Sequence, residues 1–126
     1  MIEHQILDEV RGTAESDLRR AAGRRDWAKA QRAIRVLVES SMPRPRMPSV
    51  RVDTIYRGHG APHVAWKWVT NAGMATLLVE LVDWGQLVVS TFVTYPGLSR
   101  RPRLVYRDVA APEQIPMVVE RAVGVI

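Results

Sequence analysis

The sequence predicts an α+β domain: an N-terminal helical hairpin, a five-stranded antiparallel meander sheet and a C-terminal helix. Three observations carry that prediction. Apolar residues recur every three or four positions up to residue 42, every second position from residue 50, and the two regimes are separated by a segment too rich in proline to be either. The whole chain, residues 1–126, has the size of one domain of roughly 100 to 150 residues, so a second independent core is not expected.

The hairpin comes first, over residues 1–42. Ile2, Ile6, Leu7, Val10, Ala14, Leu18 and Ala21 mark one face of a helix whose other face is charged. Gly23 stands where a left-handed cap would end that helix, and Asp26 precedes Trp27 as an N-cap for the next. Trp27, Ala30, Ile34, Leu37, Val38 and Ser41 then continue the helical spacing up to Pro43, and the short turn makes the two helices antiparallel neighbours. Residues 43–49, with Pro43, Pro45 and Pro48, read as an extended connector. A proline- and arginine-rich stretch of this kind also suits a peptide ligand, but a connector inside one fold is the simpler reading.

Residues 50–109 read as the sheet. Val50 to Tyr56, Val64 to Val69, Met74 to Val82, Leu87 to Tyr95 and Arg103 to Val109 are enriched in β-branched and aromatic residues and separated by turn-forming glycines and prolines. Residues 112–124 close the domain as a helix that reads clearly through Ala122, with Pro116 in the first turn, where a missing N–H costs nothing.

The central strands are apolar on both faces. Leu77, Val79 and Leu81 oppose Met74, Leu78 and Val82, while Leu87, Val89 and Val93 oppose Val88 and Phe92. An antiparallel sheet with one wet face should alternate cleanly, and helices of this length cover one side only. The expectation is a homodimer formed through the uncovered face, with strong sheet curvature as the alternative.

Composition narrows the function. Cysteine is absent, which excludes a disulfide framework, thiolate metal ligands and a cysteine nucleophile. No apolar run approaches the roughly 20 residues of a membrane-spanning helix, and the opening Met1, Ile2, Glu3, His4 lacks the basic start of a secretory signal; no membrane contact and a cytoplasmic location are expected. The 18 basic residues exceed the 13 acidic ones, and all but Lys29 and Lys67 are arginine, whose planar fork favours phosphate and carboxylate partners.

Catalytic constellations do not emerge. His59 and His63 flank Gly60, Ala61 and Pro62, a turn rather than a helical metal pair, and His4 is remote. Asp53, Glu80, Asp83 and Asp108 have no spacing that makes them an acid–base pair, Ser90 has no glycine elbow, and no glycine loop cradles a phosphate. No metal, catalytic residue or cofactor is assigned.

What remains is basic and aromatic. Arg100, Arg101, Arg103 and Arg107 cluster around the last hairpin, and Arg19, Arg20, Arg24 and Arg25 straddle the end of the first helix. Trp66, Trp68, Trp84, Tyr95 and Tyr106 lie on or beside the strands, as base-stacking surfaces or as core and interface residues. The helix macrodipole alone accounts for basic residues at a helix end, so a phosphate-binding surface requires both clusters on one side. The expected function is a non-enzymatic binding module, homodimeric, contacting an anionic partner such as nucleic acid or an acidic protein. Two alternatives stand beside it: an adaptor, chaperone or immunity-type inhibitor using the apolar sheet face, and a small basic ribonuclease of the kind found among bacterial toxins, using arginine with His59 or His63.

Overall fold

A computed structural model describes residues 2–42, 50–53, 61–82, 85–97 and 101–126, with side chains from Ile6 onward. The fold is α+β: two N-terminal helices, a five-stranded antiparallel sheet and a C-terminal helix. Helix α1 runs Ile2–Gly23 and buries Ala14, Leu18 and Ala21. Gly23 is not the left-handed cap. It stays helical, and the chain leaves the right-handed region two residues later, at Arg25, with φ 55°. The Asp26 N–H reaches the Ala21 carbonyl (2.9 Å) and the Arg25 N–H reaches Ala22 (3.2 Å), the paired bonds of a Schellman cap with arginine at the position glycine usually holds. A non-glycine residue there costs about 1–2 kcal/mol, partly offset by the greater unfolded-state freedom of glycine. Arg25→Gly is therefore expected to raise stability by about 0.5–1 kcal/mol, read as a higher urea midpoint.

Helix α2 spans Trp27–Glu39, and the Asp26 side chain caps it by accepting from the Lys29 N–H at 3.3 Å. The two helices lie antiparallel: Arg11 of α1 donates to the Ser40 carbonyl (2.9 Å) just beyond the end of α2. The strands are β1 Arg51–Asp53, β2 His63–Val69, β3 Met74–Val82, β4 Gln86–Thr94 and β5 Arg103–Ala110, and they neighbour one another in chain order with every pair antiparallel. A 3-10 turn over Pro112–Gln114 occupies the first residues of the expected closing helix. Helix α3 follows over Ile115–Gly124, with Pro116 in its first turn as the sequence implies. The proline connector at 43–49 and the end of the first strand at Tyr56 lie outside the described residues.

All three helices share one side of the sheet. Their buried residues, Leu18, Ile34, Leu37, Val38, Ile115, Val118 and Val119 among them, form one core with Val64, Trp66 and Trp68 of β2, Ala75, Leu77, Val79 and Leu81 of β3, and Leu87 and Val89 of β4. Those strand residues are alternate positions of a single face, by strand periodicity and by register: Val64 opposes Val79, which opposes Val89. Thr91, opposite Leu77, lies on the same face, and its hydroxyl donates to the Ala122 carbonyl at 2.9 Å, satisfying one of the acceptors orphaned at the end of α3. None of the members of this core comes from the opposite face.

The expectation that the middle strands need cover on both sides meets a sheet covered by helices on one. On β3 burial alternates residue by residue, whereas on β4 every position from Leu87 to Thr91 is buried. Ala65, Val88 and Ser90 point away from the helices yet are only 7%, 6% and 3% exposed. On β5 the register slips: Tyr106 opposes Thr91 but Leu104 opposes Phe92, so Val105 is an extra residue, a β-bulge. No helix among the described residues is long and apolar enough to cross a membrane.

Candidate partner-binding groove

A groove of about 770 Å³ runs along the solvent side of the helical hairpin. Its α1 wall is Glu9, Val10, Thr13, Ala14, Asp17, Arg20, Ala21 and Arg24, one stripe of a helix; Lys29, Arg32, Ala33 and Val36, with the capping Asp26, form the α2 wall. Ala14, Ala21 and Ala33 make a low floor, each 4–5% exposed, because small residues where the helices touch leave a depression above them. Val10 and Val36 rise at the end away from the turn, 42% and 40% exposed. From Glu9 to Arg24 the groove is about 22 Å long at the helical rise of 1.5 Å per residue, the length of a four-turn helix.

Its charge is polarised. Near the turn, Arg20, Arg24, Lys29 and Arg32 face only Asp17 and Asp26. Asp17 pairs with Arg20 at 4.0 Å and Asp26 with Lys29 at 3.8 Å. Arg24 and Arg32 have no carboxylate partner among the described residues; Arg32 makes only a 3.5 Å bond to the carbonyl of Ala28. Glu9 is the one acidic residue at the other end. The groove therefore offers an apolar floor with, at one end, two guanidiniums that have no carboxylate partner among the described residues.

The arginines expected to act together are divided. Arg20 and Arg24 line the groove, and Arg25 is exposed at the turn. Arg19 points elsewhere: it engages Glu113, between β5 and α3, and its stem packs beside Gly85 in the β3–β4 turn. A backbone hydrogen bond, and then Arg19, holds the Glu113 carboxyl below the usual carboxylate range. A depressed pKa contributes stability above the unfolded-state value and loses it as pH falls through the folded one. Glu113→Gln should accordingly cost a small amount of stability at neutral pH, a difference from the parent that disappears as pH falls through the folded value; the effect is small because the pair is exposed.

Arg101, Arg103 and Arg107 belong to the other end or the far strand. Arg101 precedes β5, and Arg103 opens it opposite Val93 near the end of β4 and lies over the Tyr95 ring, 5.9 Å from its centre. The β3–β4 turn near Arg19 and the β4–β5 connection are separated by the length of β4, about 27 Å for its nine residues. One continuous phosphate-tracking surface is not assembled from these two clusters. Arg100 lies outside the described residues, as do Trp84, His59 and Asp83.

Of the described aromatic candidates, Trp66 and Trp68 are core residues, Tyr106 packs against that core and Tyr95 is partly exposed beneath Arg103. Trp66 is fully buried and Trp68 is 4% exposed, both on the helix-covered face, so neither ring has a surface left for a base. They share a face, as their spacing implies, but it is the inner one. Tyr106 is half-buried against the same core; burial, and then Asp108 beside its hydroxyl at 3.3 Å, raises its pKa. The acids are dispersed: Asp53 and Glu80 lie on the helix-free face two strands apart, and Asp108 on the other face. His63 is on the helix-free face, its ring Nδ1 3.1 Å from the Ala61 carbonyl. Among the described residues no group of three or more metal-ligating side chains converges.

Sequence reasoning named Arg20 and Arg24 but missed Lys29, Arg32, Val10 and Val36. The available signal was the stripe Lys29, Arg32, Val36, which lies on the side of α2 away from Ile34, Leu37 and Val38 and beside α1 once the hairpin closes. No protein-family model, no curated protein and no solved structure matches this chain.

Proposed function

We propose that the protein is a non-enzymatic binding module whose hairpin groove holds an acidic, amphipathic helix of a partner protein. The observation that carries the reading is the combination of an apolar, alanine-floored groove of helix length with two arginines at one end, Arg24 and Arg32, that have no carboxylate partner among the described residues. A helix laid in such a groove buries an apolar stripe at i, i+3, i+4 and i+7, and its carboxylates meet the guanidiniums at the rim. An acidic protein suits this site better than nucleic acid. A nucleic-acid strand needs a run of cations along its backbone, whereas the groove concentrates them at one end and places Glu9 at the other.

Two 16-residue peptides test it, sharing one leucine stripe and differing only in glutamate or lysine on the flanks. In fluorescence anisotropy the glutamate peptide should bind in the micromolar range, and the lysine peptide at least about tenfold more weakly. Arg24→Glu with Arg32→Glu should reverse the preference. A short single-stranded oligonucleotide that displaced the glutamate peptide, or equal binding of the two peptides, would defeat the proposal.

A further inference from the structure

The helix-free face of the sheet forms a grid that can be read from the register. Its central row, across β1 to β5, is Asp53, Ala65, Leu78, Ser90 and Arg107. On one side of it lie Arg51, Lys67, Thr76, Phe92 and Leu104; on the other, His63, Glu80, Val88 and Val109. Met74, Val82 and Val69 extend the apolar part. Its open hydrocarbon lies at the rim, where Leu104, Val109 and Val69 are 51%, 54% and 74% exposed, while Ala65, Val88 and Ser90 nearer the centre are already shielded within the chain.

We infer that this face is closed by the same face of a second copy, the two-fold axis lying along the middle strand β3. Three features specify that occupant. The first is size: strands of three, seven, nine, nine and eight residues, at about 3.3 Å per residue and about 4.8 Å apart, give a face of roughly 570 Å² in plan, so that two copies together reach the low end of specific interfaces. The second is charge. Arg51, Lys67 and Arg107 are interspersed with Asp53 and Glu80, a mixed pattern that a copy of itself can match in both signs, as a surface of one sign cannot.

The third is symmetry. A two-fold along β3 exchanges the edges of the grid while keeping its rows, so Asp53 on β1 of one copy meets Arg107 on β5 of the other, twice over. Lys67 on β2 meets the Phe92 ring on β4, and Leu78 meets its own copy at the centre. An axis along any other strand leaves an outer strand uncovered. The arrangement has one cost: Glu80, also on β3, faces its counterpart across the axis.

Light scattering on the intact protein from about 5 to 200 µM tests the inference. The expected wild-type mass is twice that of the monomer, falling to the monomer for Phe92→Glu or Leu78→Asp with unchanged circular dichroism. Val10→Glu, in the hairpin groove, should leave the mass unaltered while weakening the peptide binding described above, so the two readings fail separately. Asp53→Arg and Arg107→Asp should each weaken association at least about tenfold, and the two together should restore it. Glu80→Gln should tighten it. A wild-type monomer throughout this range, or a dimer indifferent to Phe92→Glu, overturns the inference; a charge exchange that fails to restore association overturns the axis along β3.

Discussion

Replacing Trp66 with alanine is expected to lower the free energy of unfolding by about 3–5 kcal/mol, the cost of emptying a large aromatic site in a packed core. Trp66 has no exposed surface and heads the largest fully buried side chains. It sits on β2 beneath α2, and its indole N–H donates to Glu39 Oε1 at 3.3 Å. That carboxylate does not depend on it, because Arg35 holds the same oxygen through two nitrogens at 3.1 and 3.0 Å. The loss should therefore come from volume rather than from an orphaned charge. Trp66→Phe keeps much of the volume and should cost clearly less, about 1–2 kcal/mol. Urea unfolding of the three proteins decides the point: similar losses for alanine and phenylalanine would shift the weight to the hydrogen bond.

Gly73→Ala is the second large effect, and its origin is backbone rather than core. Gly73 closes the β2–β3 turn at φ 144°, a conformation that side chains rarely adopt. Its N–H and carbonyl both bond to Thr70, so the turn cannot rotate away without breaking them. A Cβ there would lie 2.2 Å from the Thr94 carbonyl oxygen, which belongs to the neighbouring hairpin and is itself fixed by the ladder. Strain and clash together should cost about 3 kcal/mol or more. Gly12→Ala provides the contrast: this glycine lies within α1 with nothing within 4 Å of the added atom, so alanine should stabilise by about 0.5–1 kcal/mol. Parallel thermal melts that moved both variants the same way would contradict this account.

Much of the architecture was legible because local and global signals agree. Strand β3 begins at Met74 and ends at Val82 as the alternation implies, since the hairpin turns at both ends are rich in glycine and polar residues. The meander follows from short connections, and the observed strand order is the chain order. The hairpin cap was misplaced by two residues. Glycine propensity favoured Gly23, but keeping Leu18 and Ala21 inside while Asp26 caps α2 fixes the length of the turn and puts Arg25 at the reversal. The bulge at Val105 left no trace in composition.

The candidate site was less legible for a definite reason. Periodicity puts Trp66 and Trp68 on a common face but does not say which face the helices cover, so a core or interface role is the simpler reading without excluding stacking. Likewise, two runs of arginine look like one surface until β4 separates them. The groove depends on which sides of α1 and α2 meet, and that is decided by helix packing against Trp66 and Leu77 rather than by either helix alone.

The extra residue in β5 has a further consequence for how copies of this chain can meet. As the last strand of the sheet, β5 carries Leu104, Val105 and Val109 exposed, enough to invite another strand to zip alongside and begin an endless ribbon. The kink at Val105 spoils the regular spacing of amide and carbonyl that such zipping requires, and Arg103 and Arg107 add repulsion between like rims. Deleting Val105 would straighten that edge and is expected to increase edge-to-edge association, read as a rise in light scattering over the parent chain. On the face-to-face pairing proposed above, the bulge disfavours edge growth and leaves broad-side contact, which closes at two molecules.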